Sequence, residues 1–213
     1  MNKRFNITTV ITTLVCLVPL AVGTLLWDKL PEQLPMNYGL NNEMRMYAPK
    51  WVNVVLFPAI LAVLNIAVCL TMTAGIKESV GRKLSVFTVW LAPVISVAVG
   101  TFLIIKPLGL PFDAVNFISV LMSVIFIIAG NYIPKTKPNS RVGFRFAWTM
   151  NNEQVWQKTH RVGGFVLVIA GFIGLITSFF PWGKYVFIIC LLMVIFVPFF
   201  YSLAIKEKSS DDF

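Results

Sequence analysis

Six apolar runs dominate this chain: Ile7–Trp27, Trp51–Ala74, Leu84–Ile105, Ala114–Ile133, Gly163–Phe180 and Tyr185–Ile205. Each is about 20 residues, enough for a helix to cross ~30 Å of hydrocarbon. None alternates polar and apolar residues as a barrel strand does, so helices remain the only spanning structure. The pattern predicts an all-α polytopic membrane protein with six transmembrane helices. The polar segments between the runs are too short for a soluble domain. Composition agrees, with 57% hydrophobic and 13% charged residues and a mean hydropathy of +0.79. A soluble fold of this size cannot bury that much apolar surface. Lys3, Arg4 and the stretch Ala21-Val22-Gly23 echo a cleavable signal peptide. The run continues to Trp27, however, which suits an interfacial anchor, so it is read as the first span.

Charge then sets the sidedness. With the N-terminus inside, the cytoplasmic segments hold Lys3, Arg4, Lys77, Arg82, Lys83, Lys135, Lys137, Arg141, Arg145, Lys158, Arg161, Lys206 and Lys208. Those are thirteen of the eighteen basic residues, leaving Lys29, Arg45, Lys50, Lys106 and Lys184 outside. The positive-inside rule therefore places both termini in the cytoplasm, as in an inner-membrane protein. The net charge of +9 is met by anionic membrane lipid and needs no direct nucleic-acid partner.

Two polar segments are substantial. The outside loop 28–50 holds Pro31, Pro35 and Pro49, which deny it a long helix, and Gly39 and Asn41-Asn42, which favour turns. It is expected to be an ordered cap. The other outside connections, around Lys106–Pro111 and Pro181–Lys184, are short enough to make spans 3/4 and 5/6 antiparallel hairpins. The cytoplasmic loop 134–162 begins irregular and basic. After Thr149, Asn151 is placed to cap a helix with Gln154 three residues on, and that helix runs into the fifth span. Glu153, Trp156 and His160 then share one helix face. Trp148 and Trp156 are expected at the headgroup level.

Inside the membrane, Pro58, Pro93 and Pro198 are expected to kink their spans. Gly163, Gly164, Ala170, Gly171 and Gly174 give the fifth span a small-residue packing face. Asn65 and Asn116 are the polar side chains expected to be buried, as interhelical links. No Asp, Glu, Lys or Arg lies deep in a span, which argues against an ion pump or proton relay. Cys16, Cys69 and Cys190 all sit in apolar runs and read as small buried hydrophobes. Glu153 and His160 lie about 10 Å apart along their helix, beyond direct hydrogen-bond reach, with no nucleophile beside them. They are also too few to hold a metal. Neither an enzyme nor a cofactor is expected.

One stretch is far more specific than any short motif. It runs Gly130-Asn131-Tyr132-x-Pro134-Lys135-x-Lys137-Pro138-Asn139, then Gly143-x-Arg145, Trp148-Thr149, and Glu153-x-x-Trp156-x-Lys158-Thr159-His160-Arg161-x-Gly163-Gly164. This resembles the SdpI family of bacterial membrane proteins. Leu30-Pro31 and Leu34-Pro35, followed by Gly39 and Glu43, resemble the Leu-Pro-x-x-Ile-Pro signature of a small domain that often precedes the SdpI region. Asn37 stands where relatives often carry His, Asn42 and Arg45 replace the later Gly and Asp, and Ala147 replaces Pro. The resemblance implies a two-helix unit at 1–74 and an SdpI-like four-helix unit at 75–213.

It also implies an immunity role against a secreted, membrane-active peptide toxin. A further implied role is a receptor that holds a cytoplasmic transcriptional repressor at the membrane. A transporter or lipid-handling protein is the alternative. The expected cytoplasmic surface is Lys137, Asn139, Arg141, Arg145, Trp148, Glu153, Trp156, His160 and Arg161. There the cations meet an acidic patch or lipid phosphate, the tryptophans anchor the loop, and Glu153 pairs with Lys158 or Arg161. The expected outer surface is Pro31, Pro35, Asn37 and Tyr38.

Overall fold

The computed structural model describes residues 7–73, 80–109 and 112–210. Lys3, Arg4, Lys77 and Pro111, used above, lie outside them. Among the described residues six helices are long and apolar enough to cross a membrane. They run Ile7–Leu25, Val52–Met72, Arg82–Leu108, Ala114–Lys135, Glu153–Thr177 and Gly183–Lys206. The fifth begins ten residues before the expected Gly163, because the amphipathic lead-in joins the apolar run without a break.

Three spans depart from α-helix before their last turn. The first is split into α1 (Ile7–Cys16) and α2 (Val18–Leu25), with Pro19 in the first turn of α2. A proline there lacks only a donor that a helix start leaves free anyway. The second opens with a π-helical stretch, Val52–Leu56, directly before Pro58 in α3 (Phe57–Thr73). The third comprises α4 (Arg82–Ile95), which contains Pro93, a π-helical stretch Ser96–Gly100, and α5 (Thr101–Ile105). Two of the three anticipated intramembrane prolines thus neighbour a widened turn, a usual way to absorb the missing hydrogen bond.

The fold is mostly α-helical rather than all-α. The 28–50 loop contains an antiparallel hairpin, β1 (Gln33–Tyr38) and β2 (Met44–Pro49). Its prolines exclude a helix but are tolerated on a two-stranded ribbon, where each strand keeps an unpaired edge. At the turn, the Gly39 N–H donates to the Glu43 carbonyl and the Asn42 N–H to the Gly39 carbonyl, both at 2.9 Å. Asn42 takes the left-handed conformation (φ 61°) that asparagine accepts more readily than most residues.

The chain packs as two compact units. The first joins Met1–Gly75 to Ser85–Val115, so the third span clusters with the first two. Here buried polar groups link the helices. Asn65 is fully buried. Its Oδ1 accepts from the Thr12 hydroxyl at 2.8 Å, and its Nδ2 donates to the Val89 carbonyl at 2.8 Å. The Ser96 hydroxyl donates to the Cys16 carbonyl at 2.7 Å, beside the break in the first span. Asn116, in contrast, is only half-buried.

The second unit joins Ile76–Leu84 to Asn116–Phe213. It contains α6 (Ala114–Tyr132), the short α7 (Ala147–Met150), α8 (Glu153–Thr177) and α9 (Gly183–Ser210). Glycine sets its packing. A Cβ on Gly164 would come within 2.7 Å of the Gly130 carbonyl, and one on Gly171 within 2.7 Å of the Ser123 carbonyl. The fifth span's small residues are a close-packing face against α6, as expected. Phe126, Leu167 and Phe187 form the buried cluster beside it.

Candidate functional site

The segment between α6 and α8 folds around side chains rather than around a backbone ladder. After α6, a 3-10 turn at Ile133–Lys135 leads into it. Asn139 closes the next turn: its Oδ1 accepts from the Arg141 and Val142 amides at 2.9 and 2.8 Å, while its Nδ2 donates to the Lys137 carbonyl at 2.9 Å. This local bonding is the reason asparagine favours turns. Gly143 follows at φ +121°. A Cβ there would lie 2.1 Å from His160 Nε2, so the position requires glycine twice over.

His160 is fully buried on α8. Its Nε2 accepts from the Phe144 amide at 3.0 Å, which leaves the proton on Nδ1 to donate to the Trp156 carbonyl at 2.8 Å. With one nitrogen accepting, the ring is neutral. It stacks on Trp156, with centroids 3.9 Å apart, and meets the edge of Phe144 at 5.6 Å. Trp156 is equally buried, and its Nε1 donates to the Thr136 carbonyl at 3.0 Å. Thr149 is the third buried clamp. Its hydroxyl accepts from the Phe146 amide at 3.0 Å and lies 2.9 Å from the Phe144 carbonyl. Beyond it, Trp148 is half-buried and donates from Nε1 to the Ser202 hydroxyl at 3.1 Å. Phe146 and Phe199 pack against it.

The expected site residues therefore separate into two kinds. Asn139, Trp148, Trp156 and His160 hold the segment's shape. Trp156 is buried inside the loop rather than standing at the headgroup level, because Thr136 and His160 satisfy and cover it. Lys137, Arg141, Arg145, Glu153 and Arg161 are exposed. Glu153 does not pair with Lys158 or Arg161; it accepts from Gln157 Nε2 at 3.2 Å. The helix cap is Asn152, one residue later than expected, accepting from the Gln154 and Val155 amides at 3.0 and 3.1 Å. Thr136, Phe144 and Thr149 were not expected as parts of the scaffold. Their contribution is a backbone carbonyl or amide, or a hydroxyl bonded to backbone, that leaves little trace in residue type.

The β1–β2 hairpin has a different design. Leu30 and Leu34 are buried with Val54 and Ile104, packed by Leu26, Trp27 and Ile105. Asn53, also buried, donates from Nδ2 to the Pro35 carbonyl at 3.0 Å and fastens β1 to the second span. Lys50 Nζ donates to the Trp27 carbonyl at 3.3 Å and pairs with Glu32 at 3.1 Å. Of the expected outer residues, Pro35 is buried, Tyr38 half-buried, and Pro31 and Asn37 exposed. Burial pushes the Tyr38 phenol up to about 12, with Tyr47 adding to the shift. Glu43 is held below the usual carboxylate range, first by its own backbone amide and further by Arg45 and the Asn41 amide. Met36, Met44 and Met46 stand exposed on the ribbon.

Comparison with known proteins follows this division. Residues 135–202 match the SdpI/YfhL protein family, and residues 14–62 match a domain of unknown function, DUF1648. The first match covers the loop scaffold and the last two spans. The second covers the first span from residue 14 onward, the hairpin and the first half of the second span. The chain is 25% identical to the immunity protein SdpI of Bacillus subtilis (strain 168), over 87% of this chain and 88% of that protein. No solved structure matches. Among the described residues no group of three His, Cys, Asp or Glu could hold a metal. Among the described residues six helices are long and apolar enough to cross a membrane, and this mostly α-helical polytopic membrane protein is similar to the SdpI/YfhL protein family along residues 135–202 and to DUF1648 along residues 14–62.

Proposed function

We propose that the chain protects its cell against a secreted, membrane-active peptide toxin. The observation that carries this reading is the alignment with an immunity protein along nearly the full length of both chains. Its charge pattern supports a cytoplasmic 134–162 segment and a hairpin on the opposite side. In this arrangement the hairpin meets the toxin through Asn37, Tyr38 and the surface around Pro31 and Pro35. The scaffolded segment presents Lys137, Arg141, Arg145 and Arg161 to an acidic partner on the other side. A cytoplasmic transcriptional repressor, held at the membrane while toxin is present, is the partner this surface suits. Asn65 supports immunity over transport of a polar solute, because both ends of its amide are used between helices.

Deleting the gene should sensitise cells to such a peptide, and re-expression should restore survival. Equal survival of deletant and parent across candidate peptides would remove the proposal. Sidedness has its own test. A cysteine at Ser140 should stay unlabelled by an impermeant thiol reagent in intact cells and react in inverted vesicles. A tagged repressor that moves to the membrane only with toxin present would carry the signalling role, and one that stays dispersed would end it.

A further inference from the structure

A groove of about 510 Å³ lies between α6 and α8, lined by Ile127, Ile128, Asn131, Tyr132, Val168 and Phe172. All six residues belong to the second compact unit. It flanks the close approach of the two helices at Gly130–Gly164 and Gly171–Ser123, where the backbones come together. Four of the lining residues are apolar. The two polar ones lie together at the end next to the 134–162 segment, and both touch the same cation. Lys135 Nζ donates to Asn131 Oδ1 at 3.4 Å and sits 5.2 Å from the centre of the Tyr132 ring. Lys135 is exposed, and among the described residues it meets no carboxylate.

We infer that this groove holds one anionic phospholipid, with an acyl chain along Ile127, Ile128, Val168 and Phe172 and its phosphate at Lys135. Length supports the assignment. From Ile127 to Lys135 the helix rises about 12 Å, most of the ~15 Å of one leaflet's hydrocarbon. The groove thus runs from near the midplane to the headgroup level, apolar where tails lie and cationic where phosphates lie. Charge supports it too. Lys137, Arg141, Lys158 and Arg161 are exposed on the adjoining segment, and such a basic surface favours an anionic over a zwitterionic headgroup. Asn131 and Tyr132 act as positioning residues that hold the Lys135 ammonium over the groove end. This inference concerns the lipid alone and stands whether or not the immunity role does.

The test uses the purified full-length protein in a mild detergent. Phosphatidylglycerol and phosphatidylcholine of the same chain length are added, and retained lipid is counted by native mass spectrometry. The wild type should retain phosphatidylglycerol about fivefold better, the effect of one lysine beside an anionic headgroup. Lys135→Gln, an exposed change that leaves packing intact, should reduce that preference towards equality. Val168→Trp, which fills the groove, should reduce retention of both lipids, with its melting profile checking that it remains folded. Equal retention of both lipids by the wild type would overturn the inference, as would an unchanged preference in Lys135→Gln. Full competition by water-soluble glycerophosphoglycerol would also overturn it, since binding would then need no acyl groove.

Discussion

The two polar segments of this protein solve the same problem in opposite ways. Each must order a chain of roughly two dozen residues between membrane helices. The hairpin segment does it with a backbone ladder, two buried leucines and one asparagine bond to the second span. Its side chains beyond those anchors are replaceable in principle, because ladder bonds do not depend on residue type. The 134–162 segment has no ladder. Its backbone amides and carbonyls are satisfied one by one by Asn139, Thr149, Trp156 and His160, and its path passes through a glycine that cannot carry a Cβ. The difference explains why the second segment carries so long and specific a sequence signature. Much of that signature encodes shape. Lys137, Arg141, Arg145 and Arg161 stay exposed and take no part in holding that shape.

The comparison can be broken most sharply at Gly143. Gly143→Ala combines a left-handed backbone with a collision against His160, and should cost at least about 2 kcal/mol. A lowered unfolding midpoint of the purified protein would register it. His160→Phe keeps a ring against Trp156 but orphans the Phe144 amide, so a loss of about 1–3 kcal/mol is expected. If His160→Phe melted with the wild type, the side-chain-clamped account of this segment would be wrong. On the ladder side, Asn53→Leu removes one bond to the Pro35 carbonyl and should cost about 1 kcal/mol. Hydrogen exchange of the hairpin amides should quicken while the loop amides stay protected. The smallest effect concerns Glu43. Because its folded carboxyl is held low, its contribution is complete above the ordinary carboxylate range. It is lost only as pH falls through the lowered folded value. Acidification should therefore loosen the turn at Gly39–Glu43 locally, and Glu43→Gln should abolish that pH dependence.

Much of the architecture was legible from residue types. Hydropathy located all six spans, since twenty apolar residues in a row have few other uses. The glycines of the fifth span announced a close contact, and Asn65 announced a buried link. The hairpin was not legible as strands. Prolines 31, 35 and 49 signalled only what the loop is not, and an exposed two-stranded ribbon lacks the clean alternation of a half-buried strand. The broken first span was missed because Pro19 was weighed as part of an apolar run rather than as the start of a second helix. Within the candidate site, the identities of His160, Trp156 and Asn139 stood out, but their roles did not. A buried neutral histidine and a solvent-facing one look alike in a sequence until Gly143 and Phe144 are brought against the ring.

The account turns on the claim that the scaffold and the acting surface are separate sets of residues in one segment. The most direct measurement compares the double variant Arg141→Glu/Arg145→Glu with the wild type in deletant cells challenged by a membrane-active peptide, alongside the unfolding midpoint of each protein. Both arginines are exposed, so the variant should insert normally and melt within about 0.5 kcal/mol of the wild type, yet fail to protect. Full protection by the folded variant would contradict the claim.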